Sequence, residues 1–365
     1  MLTGQIPAGC LDYNSQVASF GGARGAAQAI VRSKAPLRVS FCGGGTDVPP
    51  YPQMRGGLVL CATIDRYAYA TLIPRLDDEI SIESLDYSTI LHGNIDMPFQ
   101  YDGKLDLAKA VVNRVQSRLP RGMKLFLHSD APPGSGLGSS SALVVALVGA
   151  FAHHQHVTTS KDELAQLAWQ VERLDMGIEG GLQDQYAAAF GGFNLFEFTA
   201  EGVNVQPLRL RPAVLNELAY RLVLVYTGRT RMSGSIIAQQ VEGYKQEDPS
   251  VLGALDEMKQ ITLEMKAMLT RGRLDDFGDL LDAAWRSKQR LASGISTPDI
   301  DELYAAARKA GALGGKITGA GGGGHLLLFC QFDRRHRIRE AVERLGATVE
   351  GFSFEPNGIQ TWQVE

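Results

Sequence analysis

Residues 132–142 read PPGSGLGSSSA, and this stretch decides how the rest of the sequence is interpreted. An apolar run at 124–128, typical of a strand, precedes it, and the apolar run 142–152, typical of a buried helix, follows it. Glycines let a backbone approach an anion closely, and the first turn of a helix offers free N–H groups. Serine hydroxyls can add hydrogen bonds or bind Mg²⁺. The stretch therefore predicts a phosphate-binding loop between a strand and a helix.

Two common nucleotide-binding loops do not fit this stretch. A Walker A loop requires a lysine after its last glycine, and residues 132–142 contain no lysine. The Rossmann fingerprint requires GxGxxG, whereas Gly134, Gly136 and Gly138 give GxGxG. A plain connector between a strand and a helix remains open as long as the loop is considered alone.

Composition limits the classes of protein and partner that fit. The 365 residues are 44% hydrophobic and 21% charged, and their net charge is −4. The length favours two domains, and the acidic balance argues against nucleic acid or an anionic membrane as a partner. The four cysteines lie far apart, which is typical of reduced thiols in a cytoplasmic protein. No apolar run reaches the ~18 residues that span a bilayer, and no secretion signal is predicted.

Local patterns predict an α+β protein with an extension and two domains. Residues 1–31 are predicted to be an extension with a short helix near 25–31, residues 32–205 a first domain, and residues 206–365 a second domain. Alternation of strands and helices in the second domain favours a sheet with helices on one face.

Three further expectations concern single elements. The alternating residues 58–74 predict a long strand with residues 80–84 as its hairpin partner. Residues 161–175 are predicted to form one helix, and residues 348–354 one strand.

Two other glycine-rich segments accompany the loop. Residues 36–47 read PLRVSFCGGGTD, and residues 316–324 read KITGAGGGG. In this order the three segments resemble the motifs of the GHMP kinases, and the resemblance covers residues 33–355. It implies a two-domain fold with a ribosomal S5 domain 2-like N-terminal domain, a ferredoxin-like C-terminal domain, and an active site between them.

The resemblance also implies roles for individual residues. The N-terminal domain would bind ATP, with phosphate contacts from Pro133, Gly134, Ser135, Gly136, Leu137, Gly138, Ser139, Ser140 and Ser141. The segments VER at 171–173 and GLQDQ at 181–185 resemble the galactokinase stretch that ends in a catalytic aspartate. This similarity implies Asp184 as the catalytic base, Arg38 as the cation that pairs with it, and Ser140 and Glu172 as ligands of Mg²⁺.

Each of these roles has a plain structural alternative. Asp184 could be a charge at a helix N-terminus, Glu172 an exposed helix residue, and Arg38 part of a salt bridge at a strand edge. Phosphoryl transfer requires a base near a metal-bound phosphate, and a neighbouring cation favours the ionised form of a carboxyl group. The occurrence of all three residues in matching motifs favours the catalytic interpretation.

The first motif departs from galactokinase, whose loop reads GEHTD where this chain has GGGTD at 43–47. This loop, with YTGRTR at 226–231 and GISTP at 294–298, resembles the D-glycero-D-manno-heptose 7-phosphate kinases within the family. The resemblance implies phosphorylation of the anomeric C1 hydroxyl, which gives the 1,7-bisphosphate. The residues expected to contact the sugar phosphate are Gly44, Gly45, Thr46, Asp47, Arg231, Gly321 and Gly322.

A substrate that already carries a phosphate requires basic side chains, because arginine makes bidentate contacts with phosphate oxygens. Arg231 is the first choice, because a helix start follows it, and Arg229, Lys288 and Arg66 are further candidates. A fucokinase-like or galactokinase-like enzyme and an inactive sugar- and ATP-binding regulator remain open. No motif fixes the oligomeric state, and a homodimer stays open.

Overall fold

The computed structural model describes residues 29–230 and 234–364, which build two β-sheets covered by helices. The predicted extension up to residue 28 lies outside the described residues. The strands are β1 (Ile30–Cys42), β2 (Gly57–Pro74), β3 (Glu79–Ser84), β4 (Thr89–Asn94), β5 (Met123–Ser129), β6 (Phe193–Phe198), β7 (Val203–Pro207), β8 (Leu222–Tyr226), β9 (Ala312–Ile317), β10 (His325–Cys330), β11 (Thr348–Glu350) and β12 (Gln360–Val364). The helices are α1 (Tyr51–Arg55), α2 (Asp106–Val115), α3 (Ser139–His154), α4 (Lys161–Gln170), α5 (Gln183–Phe190), α6 (Pro212–Arg221), α7 (Gly234–Lys245), α8 (Pro249–Arg271), α9 (Phe277–Gln289), α10 (Pro298–Ala310) and α11 (Arg335–Glu343). The α+β class is confirmed.

The larger sheet has the strand order β12-β1-β2-β5-β3-β4, and β6 and β7 continue it beside the first half of β2. Helix α3 is the central helix packed on this sheet, and 12 of its 16 residues are buried. A helix that is apolar on all sides is stable only inside a core, which explains why this one carries no polar face. Burial of α3 fixes the position of its N-terminus and therefore of the loop at 132–138.

The first strand begins earlier than the sequence suggested. Ile30 and Val31, which were expected in the extension, pair with Val364 and Gln363, and the Val31 side chain is fully buried. The predicted helix near 25–31 is therefore wrong at these two residues, and the rest of it lies outside the described residues. The partner strand β12 is more than 320 positions away in the chain, so no local pattern could indicate the pairing.

The expected hairpin of residues 58–74 with residues 80–84 is wrong. Strand β3 pairs with β4 and, in parallel, with β5, which lies between it and β2. Met123, Leu125 and Leu127 of β5 are buried, whereas every residue of β4 is at least partly exposed. The apolar strand therefore takes the inner position and the polar hairpin forms the edge of the sheet.

The smaller sheet has the antiparallel order β11-β8-β10-β9, and its helix α9 packs against both β9 and β1. The rings of Phe41 on β1 and Phe277 on α9 meet edge to face at 5.7 Å between their centroids. Helix α6 was not predicted, and the expected strand at 348–354 is shorter, because only Thr348–Glu350 pair with β8.

Because β12 belongs to the larger sheet, a single cut at residue 205 does not separate the two sheets. The domain limits at 31 and 205 otherwise stay predictions. None of the helices within the described ranges combines the length and apolar character needed to cross a bilayer.

Candidate active site

The loop at 132–138 lies where the two sheets meet. Gly136 has a φ of +78°, and a Cβ at this position would lie 2.7 Å from the carbonyl oxygen of Thr318. Gly319 packs against it from the third glycine segment, since a Cβ there would be 2.7 Å from the Cα of Gly136. The backbone N–H of His325 and its ring nitrogen Nδ1 both contact the carbonyl oxygen of Ser135, at 3.0 Å and 2.8 Å. The two glycine segments are therefore one packed unit.

Arg38 and Asp184 form an ion pair beside this loop. Nε and Nη2 of Arg38 lie 2.8 Å and 2.6 Å from Oδ1 of Asp184, and Nη1 donates to the carbonyl oxygen of Gly136 at 2.6 Å. The arginine side chain is 3% exposed and the aspartate 23%. A Cβ on Gly138 would lie 3.5 Å from Asp184 Oδ2, so the aspartate stands next to the loop. The plain alternative of a strand-edge salt bridge does not describe this buried arrangement.

Glu172 lies behind the first turn of α3, not on an exposed face. The predicted helix 161–175 consists of α4 followed by a π-helical turn, Val171–Asp175, which turns the Glu172 side chain inward. Its Oε2 accepts hydrogen bonds from the hydroxyl of Ser141, at 2.7 Å, and from the amide of Gln185. Burial raises the pKa of Glu172, an effect that Arg173 and these hydrogen bonds oppose. Ser140, one position before Ser141, is exposed at the mouth of the loop.

The oxygen donors of Ser140 and Glu172 are of the type that Mg²⁺ prefers. Among the residues that the structure describes, no three His, Cys, Asp or Glu side chains form a metal site of their own. A magnesium ion at Ser140 and Glu172 would therefore take most of its ligands from nucleotide phosphates and water.

The loop at 43–47 lies against the N-terminus of α5. Oδ2 of Asp47 accepts from the backbone N–H of Gln183 at 3.0 Å, and Oδ1 accepts from Gly45 N–H at 3.0 Å. Asp47 and Thr46 are fully buried, and burial raises the pKa of the Asp47 carboxyl group. The Thr46 hydroxyl donates to the carbonyl oxygen of Gly43 at 2.7 Å. Both side chains therefore hold the loop in shape. Their contact with the substrate stays a prediction, and it would require a further hydrogen bond from each of these buried side chains.

The third segment is anchored to the chain after α9. Gly322 N–H donates to the carbonyl oxygen of Ile295 at 2.8 Å, and a Cβ on Gly321 would lie 2.9 Å from the same oxygen. Both glycines are partly exposed and stay predicted substrate contacts. Gly44 lies near the Gln183 side chain, and Gly45 near Gln240.

The four basic residues predicted to contact the substrate phosphate differ in their positions. Arg231 lies outside the described residues. Arg229 is exposed and pairs with Asp299, and Arg66 is partly exposed and donates to the carbonyl oxygen of Gly351 at 2.9 Å. Lys288, by contrast, is buried and donates to the carbonyl oxygen of Gly319.

Sequence reasoning missed the second buried lysine of this region. Nζ of Lys316 donates to the carbonyl oxygen of Ser40 at 2.8 Å and links β9 to β1. Burial lowers the pKa of Lys316 to about 8. Its place at the start of the KITGAGGGG segment was the available signal.

Three buried polar atoms around the loops at 43–47 and 132–138 accept or donate no hydrogen bond within the described part of the chain. They are Ser40 Oγ, Ser135 Oγ and Gln183 Oε1. Buried polar groups are normally paired, so unpaired ones beside these loops are compatible with a polar ligand there. Together the geometry provides a glycine-rich loop before a helix N-terminus, a carboxylate beside the loop, and a cation that orients the carboxylate.

Comparison with known proteins agrees with this arrangement. The pattern of the GHMP kinases N terminal domain matches residues 106–192, and that of the GHMP kinases C terminal domain matches residues 265–348. The D-glycero-alpha-D-manno-heptose 7-phosphate kinase of Campylobacter jejuni is 37% identical over 338 residues, which is 92% of this chain and 99% of that protein. The L-fucokinase/L-fucose-1-P guanylyltransferase of Bacteroides fragilis is 30% identical over 82% of this chain but only 34% of its own length.

A solved structure shows the same fold. The crystal structure of a D-glycero-D-manno-heptose 1-phosphate kinase from Bacteroides thetaiotaomicron superimposes with a TM-score of 0.78 and 33% identity, over 92% of this chain and 99% of that one. The motifs, the fold and the identity over nearly the whole length agree, and the chain belongs to the GHMP kinases.

Proposed function

We propose that this protein transfers the γ-phosphoryl group of ATP to the anomeric C1 hydroxyl of D-glycero-D-manno-heptose 7-phosphate and forms the 1,7-bisphosphate. ATP as the phosphoryl donor follows from membership in the GHMP kinases. The observation that carries the proposal is the buried Arg38–Asp184 pair against Gly136 and Gly138. The choice of sugar rests on the Campylobacter relative. The product would serve nucleotide-activated heptose synthesis for surface polysaccharide, in the cytoplasm.

We assign Asp184 as the catalytic base. Arg38 holds Oδ1 with two nitrogens, and we assign the other oxygen, Oδ2, to the acceptor hydroxyl. The hydroxyl oxygen forms the new bond to the γ-phosphorus, its proton passes to Asp184, and the bond to the β-phosphate oxygen breaks to release ADP. Arg38 keeps the carboxylate in place throughout, because its third nitrogen is fixed on Gly136.

The loop and the first turn of α3 would hold the ATP phosphates. Gly138 precedes the helix with a φ of +78°, and the free N–H groups of a helix's first turn point toward the residues before it. We assign Ser140 and Glu172 to Mg²⁺, which, when bound, neutralises charge on the phosphates. Ser141 and Gln185 keep the Glu172 carboxylate in a single orientation for this role.

Substituting Gly136 with alanine is expected to lower kcat/KM for ATP by about 10²-fold, because the added Cβ would push the loop away from Thr318. Gly346→Ala is the matched control. Gly346 has a similar φ of +84°, but a Cβ there would meet nothing within 4 Å. The control therefore carries only the backbone strain of an alanine in the left-handed region, about 1–2 kcal/mol. Steady-state kinetics gives kcat/KM for both variants, and thermal unfolding gives their stability. Equal kcat/KM in the two variants would show that packing of the loop against Thr318 does not affect ATP use.

A fucokinase-like activity is the second candidate, because the Bacteroides fragilis relative is 30% identical over most of this chain. The two candidates differ in the phosphate that the heptose substrate already carries. We assign Arg231 to that phosphate, together with the N-terminus of α7 that follows it.

The substrate proposal predicts the outcome of an ADP-release assay with a panel of acceptors. Turnover is expected with D-glycero-D-manno-heptose 7-phosphate and not with L-fucose, galactose or unphosphorylated heptose. An acceptor that lacks the 7-phosphate leaves the phosphate-binding groups of the site unpaired. A site built for a charged group is expected to reject such an acceptor by about 10⁴-fold. Mass and phosphorus NMR spectra of the product should place the new phosphate on C1.

Three results would contradict parts of this proposal separately. Turnover of L-fucose alone would favour the second candidate. Turnover that persists after removal of divalent cations with EDTA would remove the magnesium role of Ser140 and Glu172. ATP binding without turnover of any acceptor would support an inactive regulator.

A further inference from the structure

Lys288, named above as a further candidate for the sugar phosphate, is a buried cation without a role in the proposed reaction. It lies in the last turn of α9, and its side chain is 5% exposed. Leu281, Ala284 and Trp285 precede it at helical spacing on the buried face. The helical period therefore predicts an apolar residue at position 288. A buried lysine there lowers the stability of the fold unless an opposite charge compensates it.

The Lys288 ammonium group lies where the third glycine segment packs against the loop at 132–138. It donates to the carbonyl oxygen of Gly319, the residue packed against Gly136 of the phosphate loop. Gly136 in turn accepts from Arg38 at 2.6 Å. One turn further along the chain, Leu291 lies 3.2 Å from where a Cβ of Gly45 would be. Lys288 thus contacts the third segment directly, and it lies within electrostatic range of Arg38 and Asp47 in the first.

The charges around Lys288 come from four other parts of the fold. Lys316 on β9 and Arg38 on β1 repel its charge, Asp47 and Asp184 attract it, and the Cys42 thiol is also within electrostatic range. Burial, reinforced by the two cations, lowers the pKa of Lys288 well below its usual range. A neutral carbonyl oxygen is its one hydrogen-bond acceptor among the described residues, and it does not compensate a buried positive charge. An incoming anion would.

We propose that Lys288 is a further catalytic residue, whose ammonium group contacts the phosphoryl group while that group passes from ATP to the acceptor held by Asp184. This inference rests on the proposed kinase function. The position favours the transferred phosphate over the phosphate already on the sugar, because Lys288 lies beside the phosphate loop and near Asp184. A cation at this place stabilises charge on the equatorial phosphoryl oxygens, as is common in phosphoryl transfer.

The test uses Lys288→Met, which keeps the length and apolar stem of the side chain and removes the charge. We expect kcat to fall by about 10²- to 10³-fold, with KM for ATP changed by less than about threefold. Thermal unfolding should show a Tm equal to or above that of the wild type, because a buried charge has been replaced by an apolar group. A purely structural tie between α9 and Gly319 predicts a lower Tm and a nearly unchanged kcat instead.

The pH dependence gives a second readout. Lys288 acts in its protonated form, so kcat should fall as pH rises through its lowered pKa, and Lys288→Met should lack this decrease. Lys316→Met is the comparison variant. The Lys316 charge lowers the pKa of Lys288, so its removal should move the decrease to higher pH without abolishing it. A wild-type pH profile in Lys288→Met would overturn the proposal.

A binding measurement separates failure of this inference from failure of the proposed function. ADP with Mg²⁺ and aluminium fluoride mimics the phosphoryl group in transfer, and its affinity is compared with that of ADP alone by calorimetry. It is measured with whichever acceptor the wild type phosphorylates, or with none if the wild type phosphorylates none. Lys288→Met should weaken the mimic at least 10²-fold and ADP less than threefold. Equal weakening of both ligands, or of neither, would refute the role of Lys288.

Discussion

Asp184→Asn is expected to lower kcat by about 10³-fold, the largest effect that we predict for a substitution. The asparagine carbonyl can still accept from Arg38, so the geometry of the pair is largely kept while the ability to take a proton is lost. KM for ATP should change little, because asparagine keeps the size and shape of the side chain that lies beside Gly138. The measurement is steady-state ADP release with the phosphorylated heptose as acceptor.

Asp256→Asn provides the control for this substitution. Asp256 also pairs with an arginine, Arg55 at 2.6 Å, but on the exposed side of α8. Removal of its charge should leave kcat within twofold of the wild type and cost less than about 1 kcal/mol of stability. If Asp184→Asn retained a tenth or more of the wild-type kcat, the hydroxyl proton would have another acceptor and the base would have to be sought elsewhere.

The parts of the fold that follow from local sequence were predictable. The loop at 132–138 and helix α3 lie within a few residues of their predicted limits. The glycine spacing and the apolar run each act over a few residues, so they can be read directly from the sequence. The two-domain GHMP kinase fold, expected from the three motifs, is also confirmed.

Strand order was not predictable, because it depends on contacts between distant segments. The short link after β2 favours a hairpin, but burial of β5 displaces β3 from that position. Strand β12 is similar, since its five residues are largely polar and gain a place in the sheet only from the free edge of β1. Competition among strands for the inner positions is a property of the whole sheet.

The candidate site shows the same division between motif and context. Arg38, Asp184 and the loop glycines were selected by motif, and the structure brings them together. Burial of Thr46 and Asp47 could not be foreseen, because it depends on the N-terminus of α5 closing over their loop. Lys288 was named only as a further candidate for the substrate phosphate, and only the structure shows its burial and its contact with Gly319.

The second large effect concerns Arg38 and is best measured as a double-mutant cycle with Asp184. Arg38→Met removes both the partner of Asp184 and the hydrogen bond to Gly136, so kcat should fall by about 10²- to 10³-fold. Breaking a buried pair by removing one partner should also cost about 3 kcal/mol of stability.

If the pair acts as a unit, the double variant Arg38→Met/Asp184→Asn should have a kcat close to that of Asp184→Asn alone. Each single variant leaves one charge of the pair without its partner, whereas the double variant leaves none. The double variant should therefore be more stable than the sum of the two single losses of stability predicts. The exposed Arg55–Asp256 pair, put through the same cycle, should give a coupling below about 1 kcal/mol and no change in kcat. Additive losses of kcat at Arg38 and Asp184 would mean that the arginine acts on the phosphate directly, and that orienting the base is not its role.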